Sequence, residues 1–366
     1  MELISDERPL TVVVGAGGVG KTTLAAALGV AAARAGRDAL VVTFDPSHRL
    51  KDALGVADGA AEGEAEVPLG APGRLAASLL DPRRTFDRLV ERYAPDAEAR
   101  RRILDNRFYR HLAGSLGGIL EYMAVERLYE LAAEGRYAQV VLDTPPTRQA
   151  LDFLEAPARI VAFLDSGVLR VALRRWFDAA GRLRGAGSLG PFARHAERLL
   201  DEVVGLDLLR DMNEFFQAFA PLYEGFRERA AAVQELLRSP RTRFLLVAGA
   251  GEDRIPDTLF FARRLEQAGY HLAGIVVNRV HPWAPDEPGV TAAADAPAGG
   301  RELLRWLGRR DRRGLAELAQ LLPREQPLVD LPLLPEEPGD LEALAAVADL
   351  LGARLAAWSR YVSRTS

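Results

Sequence analysis

A glycine-rich segment near the start of the chain combines the residue types that bind phosphate groups. In order, it consists of Gly15, Ala16, Gly17, Gly18, Val19, Gly20, Lys21, Thr22 and Thr23. This order fits the pattern G-x-x-x-x-G-K-[ST], in which glycines let successive backbone N–H groups point at an anion and a following helix adds its positive dipole end. We therefore expect the segment to bind a nucleoside triphosphate, with Lys21 at the β- and γ-phosphates, the Thr22 hydroxyl on Mg²⁺ and Thr23 near the α-phosphate.

The same glycines leave a second interpretation open. Gly15, Gly17 and Gly20 also fit G-x-G-x-x-G, the fingerprint of dinucleotide-binding enzymes, and Asp45 could then bind a ribose. A dinucleotide-binding turn needs neither a lysine nor a hydroxyl after its last glycine, so Lys21 favours the triphosphate. An NAD(P)-dependent oxidoreductase and a glycine turn without a ligand stay as alternatives.

Lys21 also belongs to a residue type that is scarce in this chain. Only two of the 47 basic residues are lysines, Lys21 and Lys51, and all the others are arginines. A lysine carries a compact charge on a flexible stem, whereas an arginine presents a wide planar fork. The lysine in the motif therefore indicates a position that an arginine would not serve, with chance as the alternative.

Two aspartates follow predicted strands and are candidates for the chemistry at this site. Asp45 comes after the apolar run 40–43, and Asp143 comes after the run 140–142. Ligands of open α/β sheets bind at the carboxyl ends of the strands. We expect Asp45 to orient or activate an attacking water, and Asp143 to hold Mg²⁺ through water. Each aspartate could instead begin a turn or cap a helix.

Short apolar runs separated by helical patterns predict the sheet that positions these residues. Strands are expected at 10–14, 40–43, 75–80, 140–142, 244–247, 275–277 and 328–331, and an alanine-rich helix at 21–35. Uninterrupted apolar runs are typical of strands buried on both faces, and strands that alternate with helices form a mostly parallel sheet. The predicted fold class is therefore α/β, with loops at 57–73, 282–300 and 335–340.

The segment 151–237 shows no strand pattern and is expected to be a helical insertion. It would interrupt a nucleotide-binding domain formed by 1–150 and 238–366. Two interpretations apply to its large apolar residues: a groove for a helical client, or ordinary packing of helix on helix. These residues are Phe163, Leu164, Val168, Leu169, Trp176, Phe177, Phe215, Phe216, Phe219, Tyr223 and Phe226.

The composition excludes several other classes of protein. The chain has no cysteine, which excludes disulfides, thiolate metal sites and cysteine nucleophiles. Its net charge of −4 argues against a nucleic-acid partner and thus against an ATPase that acts on DNA. The N-terminal residues show no signal-peptide pattern, and no apolar run reaches the roughly 18 residues of a membrane-spanning helix. We expect a cytoplasmic protein without a transmembrane segment.

Three motifs together resemble the ArsA-type ATPases, which include arsenite-pump ATPases and the ATPases that guide tail-anchored membrane proteins. The motifs are GGVGKTT, DPSHRLKDALG and DTPPTRQALDFLEAP, and the resemblance runs from about residue 10 to about residue 351. It implies a P-loop NTPase fold of the deviant Walker A class, with a helical subdomain, a dimer and ATP with Mg²⁺. It also implies that Asp45 positions the hydrolytic water, that Asp143 lies near Mg²⁺, that Asn278 recognises adenine and that Pro332 lies in the loop packing on the adenine.

The chain departs from the family pattern at Ala16, where the deviant loop usually carries a signature lysine. That lysine reaches the phosphates of the partner subunit. Its absence leaves three assemblies to consider: a homodimer, a heterodimer with a related ATPase, and a weakly hydrolysing ATP-binding subunit of a hetero-complex. The absence of cysteine also disfavours an arsenite site and a zinc between subunits. The targeting relatives imply a hydrophobic helical protein as a client.

Overall fold

The computed structural model describes residues 9–43, 49–55, 64–107, 109, 119–144, 155–159, 162, 211, 214–215, 217–282 and 300–365. The chain divides into two compact units. The first consists of Met1–Leu80, Leu128–Leu151 and Leu236–Ser366, and the second of Asp81–Arg127 and Asp152–Glu235. In this division residues 81–127 group with the second unit. The functional division into 1–150 with 238–366 and an insertion at 151–237 stays a prediction.

The first unit is built on one eight-stranded sheet. Its strands are β1 Leu10–Gly15, β2 Ala39–Thr43, β3 Glu64–Val67, β4 Leu75–Leu79, β5 Gln139–Asp143, β6 Thr242–Gly249, β7 Leu272–Val280 and β8 Leu328–Pro332. Their order across the sheet is β3-β4-β2-β5-β1-β6-β7-β8, and every neighbouring pair is parallel except β3 and β4. β1, β2 and β5 are buried along their whole length, as expected of uninterrupted apolar runs. The predicted α/β fold with a mostly parallel sheet is confirmed.

The expected loop at 57–73 is wrong over Glu64–Val67, which pair with β4 as an antiparallel edge strand. Ala65 and Val67 are buried, whereas Glu66 is exposed. Charged residues on an edge strand prevent it from pairing with another chain. The same charges make this short segment look like a loop, so only its contact with β4 reveals the strand.

The main helices among the described residues are α1 Lys21–Arg34, α2 Arg49–Leu54, α3 Pro82–Tyr93, α4 Ala97–Leu104, α5 Ile119–Glu134, α6 Tyr223–Arg238, α7 Ile255–Gln267, α8 Gly300–Leu321 and α9 Leu341–Thr365. Among them, α1 is the predicted alanine-rich helix, and it packs against α9, β2 and β5. Alanine has the highest helix propensity, and its small side chain lets α1 approach the sheet closely. Within the described part of the chain, no helix has both the length and the apolar character needed to cross a bilayer.

The second unit contains a core of aromatic rings. Phe86 stacks on Tyr109 with ring centroids 4.9 Å apart, and Phe219 meets Phe226 edge to face at 4.8 Å. Phe215 stacks on Phe219 at 5.5 Å, and all five residues are buried. A client groove is therefore wrong for Phe215, Phe219 and Phe226, and the alternative of helix-on-helix packing is confirmed for them.

The other apolar candidates of the insertion give no comparable evidence. Tyr223 begins α6 and is half-buried. The remaining candidates lie outside the described residues; they are Phe163, Leu164, Val168, Leu169, Trp176, Phe177 and Phe216.

Candidate functional site

The glycine-rich segment forms the loop that connects β1 to α1 (the phosphate loop, 15–23). β1 lies between β5 and β6, so the loop leaves the sheet near its centre. Gly18 and Gly20 have φ angles of 75° and 91°, in the left-handed region that glycine adopts without strain. A Cβ on Gly15 would overlap the backbone oxygen of Val247 on β6. The backbone can therefore make this turn only with glycines.

The loop presents the N-terminus of α1 as a place for an anion. Gly20 is the N-cap of α1, no side chain caps the helix, and its first turn contains no acidic residue. The first four N–H groups of a helix have no intrahelical partner, and the helix dipole makes this end positive. Gly17 and Gly18 are exposed, whereas Val19 is buried. The arrangement suits a phosphate group.

Lys21 folds back over the phosphate loop. Its Nζ donates a hydrogen bond to the backbone oxygen of Ala16 at 2.8 Å, and the residue is only 7% exposed. The aliphatic stem is therefore covered while the ammonium group stays at the loop, where its predicted role requires it. Thr23 follows in the same turn of α1 and is half-buried.

Thr22 and Asp143 meet at the carboxyl edge of the sheet. The Thr22 hydroxyl donates to Asp143 Oδ2 at 2.7 Å, and the Thr43 hydroxyl donates to the same oxygen at 3.0 Å. Asp143 ends β5, Thr43 ends β2, and both residues are buried. The structure therefore brings together the two predicted magnesium-binding residues, whereas Asp45 lies outside the described residues.

The end of β7 reaches the phosphate loop from the other side. The Nδ2 atom of Asn278 donates to the backbone oxygen of Val19 at 2.8 Å. Pro332 ends β8 and is the register partner of Val280, so it lies beside the same segment. The structure thus brings Asn278 to the phosphate loop, while Pro332 lies beside the strand that carries Asn278. Their contact with a base stays a prediction.

Sequence reasoning missed two residues at this site. Thr43 is a polar residue that ends an apolar run and stands opposite Asp143 in the register of β2 and β5. Arg279 follows Asn278, and its guanidinium donates to the backbone oxygen of Gly18 at 3.1 Å. The position of Thr43 at a strand end was a usable signal. For Arg279 the sequence contains no signal beyond its place next to Asn278.

Comparison with known families separates the two interpretations of the glycine motif. Residues 9–352 match the model of a family described as anion-transporting ATPase. The chain belongs to this family. Membership confirms the resemblance to ArsA-type ATPases and favours a triphosphate over a dinucleotide as the ligand of the phosphate loop.

The relatives of this chain include proteins named as ATPases and one protein that is named only by its locus. The chain is 27% identical over 338 residues to the ATPase GET3 of Malassezia globosa, covering 92% of this chain and 88% of that relative. It is 27% identical over 186 residues to the ATPase GET3 of Mycosarcoma maydis, covering 51% of this chain and 49% of the relative. It is 34% identical over 170 residues to Protein Rv2184c of Mycobacterium tuberculosis, covering 43% of this chain and 39% of the relative.

Proposed function

We propose that this chain binds ATP with Mg²⁺ and hydrolyses it to ADP and phosphate. The observation that carries the proposal is the 2.7 Å hydrogen bond between Thr22 and Asp143. The Lys21 ammonium lies next to it, against the phosphate loop. A phosphate cradle, a cation and a pair of magnesium-binding oxygens then lie at one edge of the sheet. These are the parts that phosphoryl transfer requires in P-loop enzymes.

The oxygens at Thr22, Thr43 and Asp143 fit Mg²⁺. This ion prefers oxygen ligands, keeps several waters and is usually held by one or two side chains together with substrate phosphates. Thr22 would bind the ion directly and Asp143 through water, while Thr43 orients the carboxylate. When bound, Mg²⁺ neutralises negative charge on the phosphates.

The protein side chains supply binding and orientation. Lys21 would exchange its contact with the neutral Ala16 carbonyl for phosphate oxygens, whose negative charge attracts the ammonium more strongly. Asp45 would orient the attacking water for in-line displacement. On the base side, the amide oxygen of Asn278 is an acceptor that suits the exocyclic amine of adenine, and Pro332 would pack on the ring.

The first test compares ATP affinity and phosphate release in three variants. Lys21→Ala should weaken ATP binding about 10- to 100-fold, because hydrogen bonds to charged groups contribute about 1.5–3 kcal/mol. Asp45→Asn should retain binding and lose turnover. Arg34→Ala is the matched control, since Arg34 lies at the far end of α1 in an exposed pair with Asp349. Unchanged ATP affinity in Lys21→Ala would refute the proposal, and displacement of ATP by NAD would favour the oxidoreductase.

A nucleotide-driven dimer is the finer part of the proposal. ATP would favour a closed dimer and ADP an open one, because each nucleotide binds the two states with different affinity. Ala16 favours a second candidate, an ATP-binding subunit that hydrolyses slowly until a related ATPase supplies the missing lysine. Turnover of the chain alone and of Ala16→Lys distinguishes the two: a large gain in the variant supports the hetero-complex.

A hydrophobic helical client in the cytoplasm is the remaining element of the proposed function. It is supported by the resemblance to targeting ATPases. The buried rings of Phe215, Phe219 and Phe226 do not contribute to it. Photo-crosslinking of a transmembrane-helix peptide to the ATP-loaded chain would test it, and crosslinks that do not depend on nucleotide would contradict it.

A further inference from the structure

Arg279 connects the phosphate loop with the loop that follows β8. Its Nη1 atom donates to the Gly18 carbonyl at 3.1 Å, and its Nη2 atom forms an ion pair with Glu337. The neighbouring Asn278 donates to the Val19 carbonyl at 2.8 Å. Two consecutive carbonyl groups of the phosphate loop are therefore held by two consecutive residues of β7.

The backbone of β7 is adapted to this contact. The register between β7 and β8 shifts between Val277 and Val280, and such a bulge redirects side chains near functional sites. Arg279 has a φ of 61° and is the one non-glycine residue with positive φ in the described ranges. This conformation costs free energy for a residue with a side chain, and it persists only where the surroundings impose it.

The residues after the bulge supply that constraint. The backbone N–H of His281 donates to Asp311 Oδ2 at 3.0 Å, and His281 Nδ1 lies 2.7 Å from the same oxygen. Asp311 belongs to α8, is fully buried and also accepts two hydrogen bonds from Arg310. The segment after Arg279 is thus anchored to α8, which holds the guanidinium against the phosphate loop.

The two held carbonyls determine where the loop amides point. In a planar trans peptide the C=O and N–H groups point in opposite directions. Because the Gly18 and Val19 carbonyls face the end of β7, the N–H groups of Val19 and Gly20 face away from it. These amides belong to the loop that binds the anion. Contact with Arg279 therefore preorganises the cradle before any ligand arrives, which lowers the cost of binding.

We propose that Arg279 is a positioning residue that holds the phosphate loop in its binding conformation, and that Glu337 aims the guanidinium. The inference rests on the proposed binding of a nucleoside triphosphate. It adds that part of the affinity comes from a residue whose task is to orient the loop, with no contact to the base.

Calorimetric titration with ATP and with inorganic tripolyphosphate, each with Mg²⁺, tests this role. Arg279→Gly removes the side chain and suits the left-handed backbone, so the fold should be retained. We expect the Kd of both ligands to rise about three- to tenfold and by a similar factor, because both use the same loop. Glu337→Gln should raise both Kd values less. Arg279→Lys should restore part of the affinity.

Two further measurements separate positioning from general stability. Arg34→Ala removes an arginine of matching exposure, 45% against 44% for Arg279, and should leave both Kd values within about twofold of the parent. Hydrogen exchange of the peptide spanning 15–23, measured without ligand, should be faster in Arg279→Gly and unchanged in Arg34→Ala.

Specific outcomes overturn the inference. Parental tripolyphosphate affinity in Arg279→Gly would overturn it, and so would a loss confined to ATP, which would make Arg279 a base-contacting residue. A parent chain that binds neither ligand would overturn the proposed function and the inference together. A parent that binds both ligands, with a variant that binds equally well, would overturn the inference alone.

Discussion

Replacing Gly29 by alanine should destabilise the first unit, although alanine is the better helix former. Gly29 lies in the interior of α1, and a Cβ at this position would overlap Val41 Cγ2 and lie 3.0 Å from Leu75 Cδ1. Exchanging glycine for alanine in a helix gains about 0.8–1 kcal/mol, whereas overpacking a core costs about 1–3 kcal/mol. Val41 is β-branched and buried in β2, so it cannot rotate away easily. We therefore expect a net loss of up to about 2 kcal/mol.

Gly352 provides the matched control for this substitution. It also lies inside a long helix, α9, and a Cβ there would meet nothing within 4 Å. Gly352→Ala should therefore raise the free energy of unfolding by up to about 1 kcal/mol. Urea denaturation followed by circular dichroism measures both variants, and a change of midpoint at constant slope reports stability. If Gly29→Ala stabilises the protein as much as Gly352→Ala does, the close packing of α1 on β2 is refuted.

Two other predictions concern acid stability and the second unit. Burial raises the pKa of Asp311, but hydrogen bonds from His281 and Arg310 outweigh this effect and hold the pKa below its ordinary value. The stability that this carboxylate contributes is therefore present at neutral pH and lost below about pH 4. Between pH 7 and pH 3 the urea midpoint should therefore fall less in Asp311→Asn than in the parent chain. An equal fall in both would contradict this role of the Asp311 carboxylate. Phe219→Ala should destabilise the second unit by about 3–5 kcal/mol because it leaves a cavity beside Phe226. Hydrogen exchange in α6 would detect this loss of stability. Unaltered exchange would mean that the aromatic core does not stabilise this unit.

Most of the sheet could be predicted because each strand carries its own signal. β1, β2 and β5 are uninterrupted apolar runs, and the structure extends each predicted strand by only one or two residues. Burial on both faces requires apolar side chains at every position, so the local sequence pattern indicates that the strand is buried. β3 could not be predicted from an apolar run because this edge strand is half polar, and it forms only by pairing with β4.

The aromatic residues of the insertion show a second limit of local patterns. The spacing of Phe215, Phe219 and Phe226 indicates one apolar helix face but not what covers it. In the structure the covering residues include Phe86 and Tyr109, which are more than a hundred residues earlier in the chain. A client groove and a packed core have the same helical period, so only the neighbours distinguish them.

The predicted phosphate loop could be recognised from the amino-acid order because its residues, from Gly15 to Thr22, are contiguous and their geometry is local. The contacts that orient this loop have a different origin. Asn278 and Arg279 are separated from Val19 and Gly18 by 259 and 261 positions. They meet the loop because β6 and β7 follow β1 in the sheet order, and the register of β7 with β8 shifts at these two residues. Strand order and register arise from the packing of the whole unit, and no short segment of the chain contains them.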